Sequence, residues 1–269
     1  MTAYSAPDPD DVATLRRDPA MSALHRSLEV YYGDPARDAL MDRFYAQFVG
    51  PGDLAFDLGA HIGDRIGCFR RLGARVVAVE PQPICAQAIR ALYPGDDQLT
   101  LVAAACGDQP GEVTLHVNSA NPTVSTASAH FVAAAAGALG WEGQVWDTTI
   151  AVPVTTLDAL IAEHGVPSFI KIDVEGYEEA VLAGLTTAVP ALSFEFTTIE
   201  RKVALACLER LATLGHYGFD LVLGERQQLV FGRWRSAAKL ADYLRSLPHE
   251  VNSGDIYGVA QPTGASGVS

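Results

Sequence analysis

Five carboxylates stand at or just past the ends of short apolar runs: Asp57, Glu80, Asp173, Glu175 and Glu195. Such runs read as buried strands of a parallel sheet, and open sheets of that kind bind ligands at the carboxyl ends of their strands. Asp57 belongs to Leu54-Ala-Phe-Asp-Leu, which breaks into a turn at Gly59, with His61 in the turn and Gly63 four residues on. Glu80 ends the run Arg75 to Val79, 21 residues after Gly59. An acid at about that distance accepts hydrogen bonds from ribose hydroxyls. In Phe169-Ile-Lys-Ile-Asp-Val-Glu-Gly, Lys171 and Asp173 share one side of a strand. A buried ammonium needs a partner, so Lys171 is expected to pair with a strand-end acid. Asp173, Glu175 and Glu195 are expected to converge, with His61 at their border.

The glycine spacing selects among nucleotides. A pyrophosphate wants G-x-G-x-x-G, so that backbone and helix N-terminus embrace phosphate. Here the pattern is Gly59-x-x-x-Gly63, preceded by Asp57, which is placed to face a cationic part of the ligand. That suits a ligand with a ribose, an adenine and a positive amino-acid moiety, and S-adenosylmethionine fits. Its methyl is already activated, so a protein need only hold an acceptor atom in line and close. An alcohol acceptor must also lose a proton, to a carboxylate or His as general base. A divalent metal held by two or three carboxylates would instead lower the alcohol's pKa. Asp173 and Glu175 are the first candidates for either role, Glu195 is a third metal candidate, and His61 is the next base. The alternative for Asp173 is structural, capping the helix that follows.

Three blocks carry a family resemblance: Phe56-Asp-Leu-Gly-Ala-His-Ile-Gly-Asp, Val79-Glu-Pro-Gln-Pro and Phe169-Ile-Lys-Ile-Asp-Val-Glu-Gly-Tyr-Glu. In this order they resemble FkbM-type S-adenosylmethionine-dependent methyltransferases, over roughly residues 54–196. The resemblance implies a Rossmann-like, doubly wound α/β sheet of the class I methyltransferase kind. It implies cofactor contacts at Asp57, Gly59, His61, Gly63, Glu80, Pro81, Asp108 and Asp173, with the loop around Ala105 to Asp108 near the adenine. Asp108 also reads as a plain turn residue before Gly111. The implied acceptor is a hydroxyl of a small molecule such as a sugar or natural-product intermediate. In this class an N-terminal helical segment often covers the mouth of the site; a structural cap is the other reading.

The bulk numbers narrow the field. A formal charge of −13 argues against a nucleic-acid substrate, whose phosphates require Lys and Arg clusters. No apolar run reaches the ~18 residues of a membrane span, and the N-terminus lacks the pattern of a signal peptide. Cys68, Cys85, Cys106 and Cys207 are scattered without C-x-x-C, as expected of reduced thiols in a cytoplasmic protein. His25, His116, His130, His164, His216 and His249 lack metal-ligand spacing.

The elements that position these residues follow from periodicity. Residues 11–49 read as two helices broken at Gly33-Asp34-Pro35. The βαβ unit comes next, then a helix from Pro83 and a strand from Leu99 to Ala105. Strand patterns at Glu112–Val117 and Thr149–Val154 flank residues 118–148, read as an inserted lid with a short helix over 129–139. Trp141 and Trp146 in it either shape an acceptor pocket or anchor the loop. Thr155-Thr-Leu-Asp158 resembles a capping box. Strands at Ser168–Val174 and Ala191–Phe196, a helix at Arg201–Leu214, paired strands at Gly218–Leu223 and Gln228–Phe231, a helix at Ala237–Leu247 and a last strand from Gly254 complete the chain. The expected organisation is a helical extension (1–50), a methyltransferase domain (51–262) and a loose tail (263–269). Exposed apolar faces on the N-terminal helices would suit a homodimer. A nicotinamide-dependent oxidoreductase, a non-catalytic binding protein and transfer to nitrogen stay open at this level.

Overall fold

The computed structural model describes residues 7–262; the first six residues and the expected tail lie outside the described residues. The helices are α1 (Pro9–Arg17), α2 (His25–Tyr31), α3 (Pro35–Tyr45), α4 (Asp64–Arg71), α5 (Pro83–Leu92), α6 (Ala129–Ala135), α7 (Leu157–His164), α8 (Glu178–Ala183), α9 (Arg201–Leu214) and α10 (Ala237–Ser246). The strands are β1 (Leu54–Leu58), β2 (Arg75–Val79), β3 (Leu99–Val102), β4 (Ala105–Cys106), β5 (Gly111–Val117), β6 (Thr148–Thr155), β7 (Phe169–Ile172), β8 (Ala191–Thr197), β9 (Tyr217–Leu223) and β10 (Ser253–Ala260).

Seven strands form one sheet in the order β3-β2-β1-β7-β8-β10-β9. It is parallel from β3 to β8, and β10 lies antiparallel between β8 and β9. The order reverses direction at β1, which pairs β2 on one side and β7 on the other. That switch point opens a crevice at the strands' carboxyl ends. Every residue of β1 and of β7 is buried, which is why both runs are apolar apart from Asp57 and Lys171. One face packs α7 to α10 through Leu157, Leu182, Leu208 and Leu244. The other packs α1 to α5, with Leu28, Tyr45, Phe69 and Ile89 buried against it.

The N-terminal helices are therefore part of the core. Tyr45 contacts Phe69, Phe169 and Tyr257 at ring-centroid distances of 5.2, 5.6 and 6.5 Å. The expected two helices are interrupted once more, at Asp18-Pro19. Asp18 is extended ahead of the proline, and its carboxylate caps a short 3₁₀ segment, Pro19–Leu24, by accepting from Ala20 N–H.

Three local expectations are corrected. The run after β3 divides at Ala104, and β4 leaves the main sheet to pair parallel with β6. Gln228–Phe231 forms no strand: β9 takes β10 as its ladder partner, and Val230 N–H makes a single bond to the Leu221 carbonyl. The cap of α7 is Thr156, which accepts from Ala159 N–H at 3.1 Å, while Asp158 accepts from Thr186 N–H. The β5–β6 pair is antiparallel as its alternation implied.

Residues 118–148 lie packed down. Phe131 is fully buried, and Trp141 meets it edge-on at 4.9 Å. Trp146 donates from Nε1 to the Val124 carbonyl at 2.8 Å. Both tryptophans thus anchor the segment, and neither lines a cavity at the strand ends. Thr126 donates to the Glu175 carbonyl at 2.7 Å, which ties the segment to the turn after β7.

Candidate active site

Two adjoining cavities open at the carboxyl ends of β1, β2, β7 and β8, of about 520 Å³ and about 640 Å³. They share Gly59, His61, Thr123, Asp173 and Glu175 as wall.

The first cavity has apolar walls from Val79, Pro81, Ala104, Ala105, Leu115 and Val174, with Glu80 set among them. Glu80 is buried and accepts from the backbone N–H of His61 at 2.9 Å and of Gln82 at 2.7 Å. Burial pushes its carboxyl up to about 7, although those two N–H groups pull the other way. A carboxylate offers about four acceptor positions, so two remain for a ligand. Gly59 is left-handed (φ 77°), and a Cβ there would lie 1.7 Å from the Asp173 carbonyl oxygen. The turns after β1 and β7 thus meet backbone to backbone, and that contact demands glycine as firmly as any ligand would.

Gly63 and Asp108 sit differently from the other expected contacts. Gly63 caps α4 with φ 89°, and a Cβ there would press the Tyr93 ring at 2.9 Å; neither cavity reaches it. Asp108 is exposed beyond β4 and lines neither cavity, whereas its neighbours Ala105 and Cys106 do.

The second cavity is acidic: Asp57, Asp64, Asp173, Glu175, Glu195 and Glu225 line it with Lys171, Arg65 and Tyr31. Lys171 is buried and donates to Asp255 at 2.7 Å and to Asp173 at 3.0 Å. Burial works against its charge, but those two acids hold its pKa above the usual range. Asp255 comes from β10, far along the chain, and sequence spacing carried no sign of it. Arg65 pairs with Asp64 and with Glu225 at 3.0 Å. Burial raises Asp57 to about 7, helped by Asp64, and its Oδ2 has no partner. Glu175 sits in a left-handed turn (φ 54°) that turns its side chain into the cavity wall. Burial, then Asp173 and Glu178, push its carboxyl well above the usual range. Glu195 is raised by burial, then by Glu175 and Asp173. Glu175 Oε2 and Glu195 Oε2 both lack partners.

His61 is buried in the wall between the cavities. Its Nε2 is 2.9 Å from Ser27 Oγ and 3.3 Å from Thr123 Oγ1. Burial lowers its pKa to about 4, so the ring is neutral near pH 7. Ser27, Tyr31 and Thr123 are site residues that the sequence did not announce, since hydroxyls on a helix or loop have no diagnostic spacing.

The match to known families decides the class. A model described as the methyltransferase FkbM domain matches residues 57–221, more than half of the chain. The chain belongs to that family. The matched span starts at Asp57 and includes Glu80, Asp173, Glu175 and Glu195. Among solved structures, a precorrin-6y C5,15-methyltransferase from Geobacter metallireducens GS-15 aligns at 11% identity and TM-score 0.42, covering 86% of this chain and 90% of that one. An O-methyltransferase from Bacillus cereus in complex with SAH aligns at 12% identity and TM-score 0.42, covering 95% and 92%. No curated protein shows significant sequence similarity to the chain. Among the described residues no helix is long and apolar enough to cross a membrane.

The site's chemistry fits S-adenosylmethionine, the methyl donor of such enzymes. Glu80 has acceptor capacity to spare beside apolar walls, as ribose and adenine require. Asp57 keeps a buried, unpartnered oxygen, as a cationic amino group requires.

Proposed function

We propose that this methyltransferase transfers the methyl of S-adenosylmethionine to a hydroxyl oxygen of a small molecule. The observation that carries the reading is the pairing of the two cavities. One has largely apolar walls around buried Glu80 and shares Asp173 and Glu175 with the other, which is lined by carboxylates able to take a proton.

In this reading Glu80 accepts the ribose hydroxyls, and Val79, Pro81, Ala104, Ala105 and Cys106 enclose the base. Asp57 faces the amino-acid end, and Gly59 and His61 form the floor. The bound donor supplies a sulfonium-activated methyl. Transfer of that methyl to an acceptor oxygen would leave the carbon–sulfur electron pair on sulfur, with a thioether as the leaving group. The hydroxyl proton passes to a carboxylate of the second cavity. Glu175 is the first candidate, because burial and the acids beside it favour its taking a proton and its Oε2 has no partner. Asp173, held by Lys171 at 3.0 Å, orients the acceptor. His61 is neutral and could take a proton, but two hydroxyl groups already occupy its Nε2. Residues 118–148 wall the site through Thr123, Ser125 and Ala127, and we read them as a fixed cover within residues 51–262.

The test is calorimetric titration with S-adenosylhomocysteine and separately with NAD, followed by methyl transfer from labelled donor to a panel of sugars, phenols and amines. The homocysteine compound is expected to bind and the hydroxyl acceptors to turn over. Tight NAD binding alone would overturn the methyl-transfer reading, and turnover confined to amines would overturn the choice of oxygen.

A further inference from the structure

Three carboxylates of the acidic cavity, from the turn after β7 and from β8, present oxygens that all lie within 4.8 Å of one another: Asp173, Glu175 and Glu195. Proximity of acids alone makes no site. Here Glu175 is only 8% exposed, and one of its oxygens finds no partner. Glu195 Oε2 is likewise buried and unpartnered. Both side chains stand in the wall of the same cavity. A buried carboxylate without donors is costly unless something cationic or a proton balances it.

The protein's own cations do not do so. Among the described residues, the cations lining this cavity are Lys171 and Arg65. Lys171 is taken by Asp173 and Asp255, and Arg65 by Asp64 and Glu225. Glu175 and Glu195 are left without a cationic partner, and Asp173 shares one.

We propose that Asp173, Glu175 and Glu195 bind a hard divalent cation, Mg²⁺ or Mn²⁺, beside the methyl-transfer site. All three donors are carboxylate oxygens, the ligand class these ions take. Ligands about 2.0–2.1 Å from such an ion lie about 3 Å apart when adjacent and about 4 Å apart when opposite. Oxygens within 4.8 Å of one another reach that arrangement by small side-chain rotations. Three protein ligands leave coordination positions for water or an acceptor oxygen. The site stands on the geometry alone, while its role in catalysis rests on the methyl-transfer reading. A cation here would lower the pKa of a hydroxyl bound to it, so that its proton leaves to water and Glu175 serves as a ligand in place of the base.

The test uses the full-length protein stripped with EDTA and dialysed, titrated with Mn²⁺ by calorimetry, with free Mn²⁺ followed by electron paramagnetic resonance. One equivalent of Mn²⁺ is expected to bind and to be displaced by excess Mg²⁺. Glu175→Gln and Glu195→Gln should each weaken it at least about tenfold, and Glu209→Gln, an exposed acid on α9, should leave it unchanged. If Glu175→Gln fails to fold, Glu195→Gln decides. The absence of bound Mn²⁺ would overturn the proposal, because a shared proton then balances the acids. Binding that neither Gln variant weakens would overturn it equally. S-adenosylhomocysteine titrated into the stripped protein reports separately on the donor site. Its binding there without Mn²⁺ binding removes the metal and keeps the methyl-transfer reading. Mn²⁺ binding without it does the reverse.

Discussion

Replacing Glu80 is the sharpest perturbation of the donor site. Its carboxylate is buried, accepts two backbone N–H groups and keeps acceptor capacity toward the apolar cavity. A hydrogen bond to a charged acceptor contributes about 1.5–3 kcal/mol. Two ribose hydroxyls lost together would cost about 3–6 kcal/mol, or about a hundredfold to ten-thousandfold in affinity. Glu80→Ala should therefore weaken S-adenosylhomocysteine at least about a hundredfold in calorimetric titration. The same change strands the N–H groups of His61 and Gln82, at about 1–3 kcal/mol each, so Tm must be measured alongside. Glu80→Gln keeps the volume and one acceptor but turns an NH₂ toward one of those N–H groups, and it should lose most of the binding too. The pH profile separates charge from shape. With the carboxyl pushed up to about 7 in the ligand-free protein, wild-type affinity should rise between pH 6 and 8 more steeply than that of Glu80→Ala. A Glu80→Ala protein that melts cooperatively and binds within about threefold of wild type would refute the assignment of ribose to this residue.

Other consequences follow from the same contacts. Asp57 and Glu80 each titrate near 7 folded against ordinary carboxylate values unfolded, so the folded state holds extra protons between those limits. Stability of the ligand-free protein should thus fall as pH rises from about 4.5 through 7, by about 3–4 kcal/mol per group; thermal melts that are flat or rise from pH 5.5 to 8 would contradict this. Gly59→Ala places a Cβ 1.7 Å from the Asp173 carbonyl oxygen at φ 77°, and it should lower Tm sharply and abolish donor binding; a variant of wild-type stability would show that the two turns do not meet. Lys171→Met leaves Asp173 and Asp255 without their shared cation, costing about 3–5 kcal/mol by denaturant titration, and Asp255→Asn should recover part of it. Deleting residues 1–36 removes Val12, Leu15, Met21, Leu24 and Leu28 from the core. At about 1.5–3 kcal/mol each, the loss is comparable to a whole domain's stability; the shortened chain should aggregate, and a soluble, cooperatively melting one would establish a detachable lid.

The central sheet was legible because its strands are buried on both faces and its acids mark their ends. Leu54–Leu58, Arg75–Val79 and Phe169–Ile172 are apolar runs that only a parallel, doubly covered sheet requires. The places of Glu80 and Asp173 were readable for the same reason: each follows such a run, and each stands in a cavity wall at the strand ends. What stayed hidden depends on contacts between distant segments. Gln228–Phe231 alternates like a strand, yet β10 offers β9 a ladder along its whole length and the hairpin loses. Gly63 looked like part of a nucleotide turn, but Tyr93 from the end of the next helix fills the space above it. Asp255 shares Lys171 with Asp173 only because β10 inserts beside β8, a crossover that local pattern does not encode. That third group matters chemically. With Asp255 beside it, Lys171 has two acids to satisfy and none of its charge to spare for Glu175 or Glu195. A motif read along β7 alone would assign Lys171 to neutralise the acids that follow it. The tertiary pairing instead leaves Glu175 and Glu195 unbalanced, and a divalent cation held between them and Asp173 supplies the charge that Lys171 does not.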